Sequence, residues 1–156
     1  MSDAIRKIEE FLARKHIAVA GVSRNPAGKA ANTIYKKLKN ANYQVYAVNP
    51  NAEEVEGDSC YPNLKAIPGS VDGVVIVTKP EHAETLVQEC SELGINRVWM
   101  HRSFGQGSVS EAAVKHCEEN KNTVIPGGCP MMFCEPVDLG HKCIRWFLKL
   151  TGGLTK

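Results

Sequence analysis

The sequence has no long hydrophobic run, no cluster of basic residues and no low-complexity stretch. Its 156 residues include 19 Lys and Arg and 17 Asp and Glu, a formal net charge of +2, and the basic residues are scattered. A nucleic-acid partner is not expected, because it would need a basic patch or stripe. No segment approaches the roughly 20 apolar residues that span a bilayer, and the N-terminus mixes charged with apolar residues, unlike a signal peptide. We expect a cytoplasmic protein without a membrane partner.

Metal and redox motifs are also missing. None of the six cysteines has a neighbour in CxxC spacing, so the common zinc and thiol-redox signatures are absent. Cys129, Cys134, His141 and Cys143 lie close together in the sequence, but their irregular spacing favours packing over metal binding. We therefore predict no metal site and six reduced thiols.

The sequence does contain a regular alternation of short apolar runs and helical patterns. The runs lack polar alternation, which is typical of strands covered on both faces. Pro80 and Gly94 bracket one helical pattern, and the capping-box spacing of Ser108 and Glu111 predicts that another begins there. The segment between the second and third strands has only a turn or two of helix, around 63–67. The predicted strands cover residues 16–21, 43–48, 73–78, 97–100 and 122–125.

This alternation predicts an α/β protein. We expect a Rossmann-like, doubly wound, mainly parallel five-stranded sheet with helices on both faces. The length suits a single domain over 1–156, with an N-terminal helix over 3–15 and a C-terminal helix over 135–150. Ligands of such sheets bind beyond the carboxyl ends of the strands, where the strand order reverses. The apolar residues expected to dock the last helix are Leu139, Cys143, Trp146, Phe147 and Leu150.

The first strand leads into a turn suited to an anion. In "IAVAGVSRNPAGKAAN" an apolar run meets Gly21, a polar turn and then a helix. A helix start offers unpaired backbone N–H groups and a favourable dipole to a phosphate. Ser23, Asn25 and Lys29 add hydrogen-bonding groups and a positive charge. The same pattern also occurs in βα turns that bind nothing.

Two common phosphate motifs do not fit this turn. A P-loop needs GxxxxGK[ST], but six residues separate Gly21 from Gly28 and Ala30 follows the lysine. The nicotinamide fingerprint needs GxGxxG and an acidic residue after the second strand. Here Ser23 stands at the second glycine, and the second strand ends in "VNPN". A ribose with free 2′ and 3′ hydroxyls would lack its usual carboxylate, whereas a phosphorylated ribose would be tolerated.

Four motifs in order resemble the small stand-alone CoA-binding protein family. They are "VAGVSRNPAGKAAN", "ANYQVYAVNP", "CYPNLKAIPGSVDGVVIVTKPE" and "LGINRVWMH". The resemblance covers residues 14–130, and the same fold occurs in the N-terminal domain of the succinyl-CoA ligase alpha subunit. It implies a Rossmann-like domain that binds coenzyme A, with the ADP part across the first two loops.

The resemblance also implies which residues bind the ligand. The first loop would hold the diphosphate, Asn49 and Pro50 would border the adenosine, and residues 78–80 would flank the pantetheine. Met100 and His101, where the fourth strand ends, complete the set. The candidate residues are Gly21, Val22, Ser23, Arg24, Asn25, Lys29, Asn49, Pro50, Thr78, Lys79, Pro80, Met100 and His101.

The chain departs from the family pattern in two places. Ala31 stands where family members commonly have a glycine, and Gly127 and Gly128 stand where many have an acidic residue and an arginine. The phosphorylated histidine of the ligase lies in a second domain that this sequence does not contain. Ligase chemistry is therefore not implied.

A catalytic group is harder to assign than a binding site. His101 follows the fourth strand and Cys129 lies in a Gly-rich turn after the fifth, so both residues can face the ligand. No third member of a catalytic set is evident. The sequence favours a carrier, sensor or regulatory module for CoA or an acyl-CoA over an enzyme. The alternatives are an enzyme that acts on a CoA thioester through Cys129 or His101 and a nicotinamide-dependent oxidoreductase. The oligomeric state and protein partners stay open.

Overall fold

The computed structural model describes residues 2–27, 29–103, 105–137 and 139–150. Within these residues the chain forms five α-helices and seven strands. In chain order they are α1 (Asp3–Leu12), β1 (His16–Ala20), α2 (Ala30–Asn40), β2 (Gln44–Val48), β3 (Glu54–Val55), β4 (Asp58–Tyr61), β5 (Gly73–Ile76), α3 (Pro80–Glu92), β6 (Arg97–Met100), α4 (Glu111–Glu119), β7 (Thr123–Pro126) and α5 (Leu139–Leu150).

The strands form one sheet in the order β3-β4-β2-β1-β5-β6-β7. Every neighbouring pair is parallel except β3 and β4, which are antiparallel. The chain moves outward from β1 to β2, and later returns to pair β5 with the other side of β1. The predicted Rossmann-like α/β class is confirmed. The strand order reverses at β1 and β5, which is where ligands of such sheets bind.

The sheet has two more strands than the five predicted. The extra strands, β3 and β4, form a hairpin in the segment for which only helical turns were expected. Glu56 and Gly57 make its turn with φ of 54° and 79°, and two successive positive φ values are typical of a type I′ hairpin turn. The expected helical turn is present as a short 3₁₀ segment, Leu64–Ala66.

Each face of the sheet is covered by its own apolar cluster. Along β1, Ile17 and Val19 belong to a cluster that includes residues of α1 and α2, whereas Ala18 and Ala20 belong to a cluster that includes residues of α3 and α4. All four side chains are buried, because alternate residues of a strand point to opposite faces. Helices on both faces explain why the strand sequences are apolar without alternation.

The first helix is shorter than predicted. It ends at Leu12 rather than at residue 15. The Asp72 carboxylate accepts hydrogen bonds from the backbone N–H groups of Lys15 and His16, at 3.4 and 3.1 Å. The Lys15 carbonyl accepts from Gln44. Lys15, directly before β1, thus bonds to Asp72 and to β2 and not to the helix.

The capping-box prediction for α4 was wrong by two residues. Ser110 is the N-cap of this helix, and its hydroxyl accepts a hydrogen bond from the Ala113 N–H at 3.3 Å. Ser108 is buried, and its hydroxyl accepts from the Thr78 N–H at 2.9 Å. Ser108 therefore links the segments that follow β5 and β6 and does not cap α4.

The C-terminal helix differs from the prediction in position and packing. It begins at Leu139 rather than at residue 135; Pro136 disfavours helical conformation in the residue before it. Its apolar residues were expected to dock it on the protein, but Leu139, Trp146 and Leu150 are exposed. Residues 151–156 lie outside the described part. Among the described helices, none is both long and apolar enough to cross a membrane.

Candidate ligand groove

A groove lies over the carboxyl ends of β1, β2 and β5, where the strand order reverses. Its cavity measures about 480 Å³, within the range of small-molecule sites. The predicted residues Gly21, Asn49, Pro50, Thr78 and Lys79 all line it. A second cavity adjoins it through Pro50, Asn51 and Pro62. The remaining residues of the main groove are Ala20, Val48, Asn51, Pro62, Asn63, Val77, His82, Thr85, Leu86 and Glu89.

Gly21 is required by the close approach of two strands. Its φ is 104°, and a Cβ built there would lie 2.1 Å from the Val77 carbonyl oxygen. No L side chain fits that space, so the glycine is needed for folding whether or not a ligand binds. Its N–H donates to the Val48 carbonyl at 3.1 Å. The Gly21 N–H is therefore engaged within the sheet and is not available to a phosphate.

The loop after Gly21 is held by a buried asparagine that the sequence analysis missed. The Asn32 side chain is 1% exposed. Its Oδ1 accepts from the Ser23 N–H at 2.8 Å, and its Nδ2 donates to the Ser23 carbonyl at 2.8 Å and to Glu56 Oε1 at 3.0 Å. Both amide protons and one lone pair of the amide oxygen are thus used. Asn32 fixes the backbone of the loop and ties it to the β3–β4 turn.

Asn49 also holds the loop. Its Nδ2 donates to the Val22 carbonyl at 2.7 Å, and its Oδ1 accepts from the Asn51 N–H at 2.8 Å. The Asn49 side chain thereby connects the end of β2 to the loop after β1. The sequence analysis assigned Asn49 to the adenosine; the structure gives it a positioning contact as well.

Three polar side chains of the first loop are exposed. Arg24, Asn25 and Lys29 all have exposed side chains, and the Asn25 N–H donates to the Ser23 hydroxyl at 3.1 Å. Lys29 is the N-cap of α2 and makes no side-chain cap hydrogen bond. The first N–H groups of α2 therefore lack the usual side-chain acceptor, which leaves an electropositive helix end for an anion. Gly28 lies outside the described residues.

The opposite wall of the groove is the start of α3. Lys79 is its N-cap, with an exposed side chain, and Pro80 is its first residue. The Thr78 N–H is taken by Ser108, and the Thr78 hydroxyl donates to the Lys79 carbonyl at 3.0 Å. The wall thus presents a lysine side chain and a hydrogen-bonded turn to the groove.

Two predicted residues have side chains that face the core instead of the groove. Val22 and Met100 are both 0% exposed, and each belongs to an apolar cluster. Their side chains therefore do not reach a ligand in the groove, and their carbonyls already accept hydrogen bonds from Asn49 and from the Gly127 N–H. His101 is half-buried, and its Nε2 lies 3.4 Å from the Ser103 hydroxyl. Burial lowers the pKa of the His101 imidazole and the nearby His141 lowers it further, so the ring is neutral at neutral pH.

Comparison with known proteins identifies the family. A family model described as a CoA binding domain matches residues 15–135. The chain belongs to this family of CoA-binding domains. The resemblance noted in the sequence is therefore confirmed.

Relatives of this CoA-binding domain include both large enzymes and small proteins. An ADP-forming acetate–CoA ligase of Archaeoglobus fulgidus is 41% identical over 83 residues, 53% of this chain but only 12% of the ligase. The uncharacterized protein YneT of Bacillus subtilis is 32% identical over 124 residues, 79% of this chain and 88% of YneT. A solved hypothetical protein from Pyrococcus horikoshii OT3 has a TM-score of 0.78 at 30% identity, covering 88% of this chain and 96% of that one.

The CoA-binding domain shows no accessible nucleophile at Cys129. The Cys129 side chain is 3% exposed and belongs to the apolar cluster on the side of α1 and α2. This burial favours the packing interpretation of Cys129 over the catalytic one. No disulfide joins the six cysteines, all of which the structure describes. Within the described residues, no group of three or more His, Cys, Asp or Glu side chains is arranged to hold a metal ion.

One departure from the family pattern fits the local backbone conformation. Gly127 has a φ of 126°, and a Cβ there would lie 3.1 Å from Nη2 of Arg102. The Arg102 backbone pairs with Gly128, donating its N–H to the Gly128 carbonyl at 3.0 Å. Gly127 thus lies beside the Arg102 guanidinium at the end of β7. L side chains rarely adopt a φ of 126°, so an acidic residue at 127 would be strained in this backbone.

Proposed function

We propose that this protein binds coenzyme A or an acyl-CoA in the groove, as a small carrier, sensor or regulatory module. The observation that carries the proposal is the neutral tip of β2. Asn49 and Pro50 line the groove where an NAD-binding sheet has a carboxylate for the ribose hydroxyls. A carboxylate there would repel the 3′-phosphate of CoA, whereas an amide does not.

The arrangement of charges supports one orientation of the ligand. The exposed Arg24 and Lys29 side chains and the uncapped start of α2 belong to the loop and helix that follow Gly21 of the groove, an arrangement that suits the diphosphate. The adjoining cavity of about 710 Å³ is lined by Glu53 and Glu54 as well as Arg24, so it is a poorer site for phosphates. We place the ADP part over the first loop and the pantetheine past residues 78–80 toward the end of β6.

The names of relatives support CoA as the ligand class. The Archaeoglobus fulgidus relative is named an acetate–CoA ligase, and the matched segment makes up a small part of it. A role in which the domain binds CoA without performing the ligase reaction is consistent with the short chain of YneT. The thioester enzyme and the nicotinamide oxidoreductase have less support, because Cys129 is buried and the β2 tip lacks an acidic residue.

Isothermal titration calorimetry with four ligands tests the proposal. We expect CoA and acetyl-CoA to bind equally well, dephospho-CoA more weakly and NAD most weakly. Lys29→Ala should weaken CoA binding by about 1.5–3 kcal/mol if the lysine bonds a phosphate. Lys115→Ala, which alters an exposed lysine of α4, is the matched control and should not change affinity. Tighter binding of NAD than of CoA would contradict the proposal.

A further inference from the structure

The outward face of α5 is an exposed apolar surface. Five large hydrophobic residues stand exposed in the described part of the chain, and four of them belong to this helix. The fifth, Leu93, is 39% exposed. The four on α5 are Leu139 at 77%, Trp146 at 65%, Phe147 at 53% and Leu150 at 66%.

Leu139, Trp146 and Leu150 form one stripe along the helix together with the exposed Cys143, and Phe147 borders this stripe. Positions 139, 143, 146 and 150 are three or four residues apart, which places them on the same side of an α-helix. The opposite side holds the helix on the protein. Ile144 packs against the apolar cluster, and Arg145 Nη1 donates to the Met132 carbonyl at 2.9 Å. Since the inner side makes these contacts, the apolar stripe points away from the protein.

The charge of this segment is entirely positive. Residues 139–156 contain Lys142, Arg145, Lys149 and Lys156 and no acidic residue, whereas residues 1–138 contain 15 basic and 17 acidic residues. On a helical projection Lys142 and Lys149 flank the same edge of the apolar stripe. Both of these side chains are exposed. An apolar stripe with tryptophan, phenylalanine and leucine beside lysines is typical of helices that lie in a membrane interface.

We propose that α5 docks reversibly on a membrane surface that contains anionic lipids. The apolar stripe would enter the boundary between headgroups and acyl chains, and Lys142 and Lys149 would bind lipid phosphates or carboxylates. A second copy of the chain fits this face less well. In an antiparallel pair of α5 helices joined by their stripes, the lysine edges of both helices would lie on the same side, and the helix offers no acidic partner for them.

This docking differs from the sequence-based expectation of no membrane partner. That expectation rested on the lack of a spanning segment, and a helix that lies on the surface needs none. A separate prediction was that the apolar residues of the last helix would dock it on the protein. The proposal does not depend on the ligand of the groove, because it uses only residues of α5.

Co-sedimentation with lipid vesicles tests the docking directly. We expect the full chain to bind vesicles that mix phosphatidylserine with phosphatidylcholine, to bind pure phosphatidylcholine vesicles far more weakly, and to be released by salt. Trp146 is exposed and Trp99 is 0% exposed. Tryptophan emission should therefore shift to shorter wavelength on binding, and Trp146→Phe should abolish the shift because Trp99 is already shielded from water.

Matched variants distinguish vesicle binding through α5 from nonspecific binding of the protein to vesicles. Trp146→Gln should lower the vesicle partition coefficient by roughly tenfold or more, and so should Lys142→Gln combined with Lys149→Gln. Leu93→Gln and Lys115→Gln, outside α5, should leave it unchanged. Every position substituted in these tests is exposed, so circular dichroism should show the wild-type fold.

Three results would overturn the proposal. The first is no binding to anionic vesicles. The second is equal loss of binding in the α5 and control variants. The third is a dimer, seen by analytical ultracentrifugation without lipid, that Trp146→Gln dissociates; this would assign the stripe to a second copy of the chain.

Discussion

Two asparagine side chains determine the shape of the first loop at the residue scale. Asn32 bonds both backbone groups of Ser23, and Asn49 bonds the carbonyl of Val22. Hydrogen bonds to buried partners have a modest net value, but a buried group left unpaired costs more. The loop geometry therefore depends on amides contributed by α2 and by the residue that follows β2. A ligand that binds this loop would not have to order the loop backbone first.

Replacing Asn32 should loosen the loop and weaken ligand binding. Asn32→Ala removes three hydrogen bonds, so we expect the free energy of unfolding to fall by about 1–3 kcal/mol and CoA affinity to fall with it. Asn32→Asp should be worse, because it loses the donor to the Ser23 carbonyl and places a carboxylate beside Glu56. Urea denaturation and calorimetry measure the two effects.

The control for this prediction lies on the same helix. Asn40 is exposed at the end of α2, and Asn40→Ala should change neither quantity by more than a few tenths of a kcal/mol. Wild-type stability and affinity in Asn32→Ala would show that the three hydrogen bonds do not hold the loop.

The sequence reveals some of these residues and hides others. Gly21 is visible because a glycine between an apolar run and a helix start is typical of a tight βα turn. Asn32 is not visible, since a single asparagine within a helical pattern is usually exposed and its hydrogen-bond partners are 9 and 24 residues away. The burial of Met100 likewise depends on the packing of α3 and α4 over the sheet, which local pattern does not define.

At the element scale, a hydrogen-bonded network joins α2 to β4. The Tyr35 side chain is buried, and its hydroxyl donates to Asp58 Oδ2 at 2.7 Å. Lys39, one turn further along α2, forms an ion pair with the same carboxylate. Hydrogen bonds from Lys39 and then Tyr35 hold the pKa of Asp58 below its usual value of 3.8. The edge hairpin is thereby fastened to the helix that follows the first loop.

This network predicts a pH-dependent contribution to stability. Because the pKa of Asp58 is lower in the folded protein, the carboxylate stabilises the fold above about pH 3.8, and the contribution is lost as pH falls through the folded value. Tyr35→Phe should cost about 0.5–1.5 kcal/mol at neutral pH. The difference from wild type should shrink in acid, as followed by denaturant unfolding over a pH series.

A double-mutant cycle isolates the pair. In an Asp58→Asn background the acid-dependent part of the Tyr35→Phe effect should disappear, because no carboxylate remains to titrate. An effect of Tyr35→Phe that is the same at every pH in both backgrounds would mean that the hydroxyl acts through packing alone.

The main elements of the fold follow from sequence, and the edge hairpin does not. The five predicted strands are apolar runs of four to six residues, a pattern typical of a sheet covered on both faces. The hairpin has a two-residue strand and mostly polar residues, so periodicity gives no signal there. The sequence indicates it only through Gly57, because glycine is favoured at turn positions that need a positive φ. The prediction at Ser108 was wrong because capping-box spacing alone does not show that the serine hydroxyl caps the helix. Here that hydroxyl accepts from the Thr78 N–H.

For the whole molecule, the groove and the stripe on α5 are separate surfaces. The groove is formed by β1, β2, β5 and the start of α3, whereas α5 contacts the segment after β7 through Arg145. The sequence pattern shows that α5 has an apolar face, and we expected that face to pack on the protein. The pattern does not show which side of the helix the protein covers. The contacts of Ile144 and Arg145 in the folded chain show which side that is.

Hydrogen exchange with and without CoA should distinguish these surfaces. A ligand at a hundred times its Kd stabilises the native state by about 2.7 kcal/mol, so core amides that exchange through global unfolding should slow by roughly a hundredfold. Amides of residues 21–25 and of the first turn of α2, which exchange by local opening, should slow as well, because the ligand covers them directly. Amides at the end of α5 exchange by fraying and should not change. Protection of α5 by CoA, with residues 21–25 unaffected, would place the ligand outside the groove.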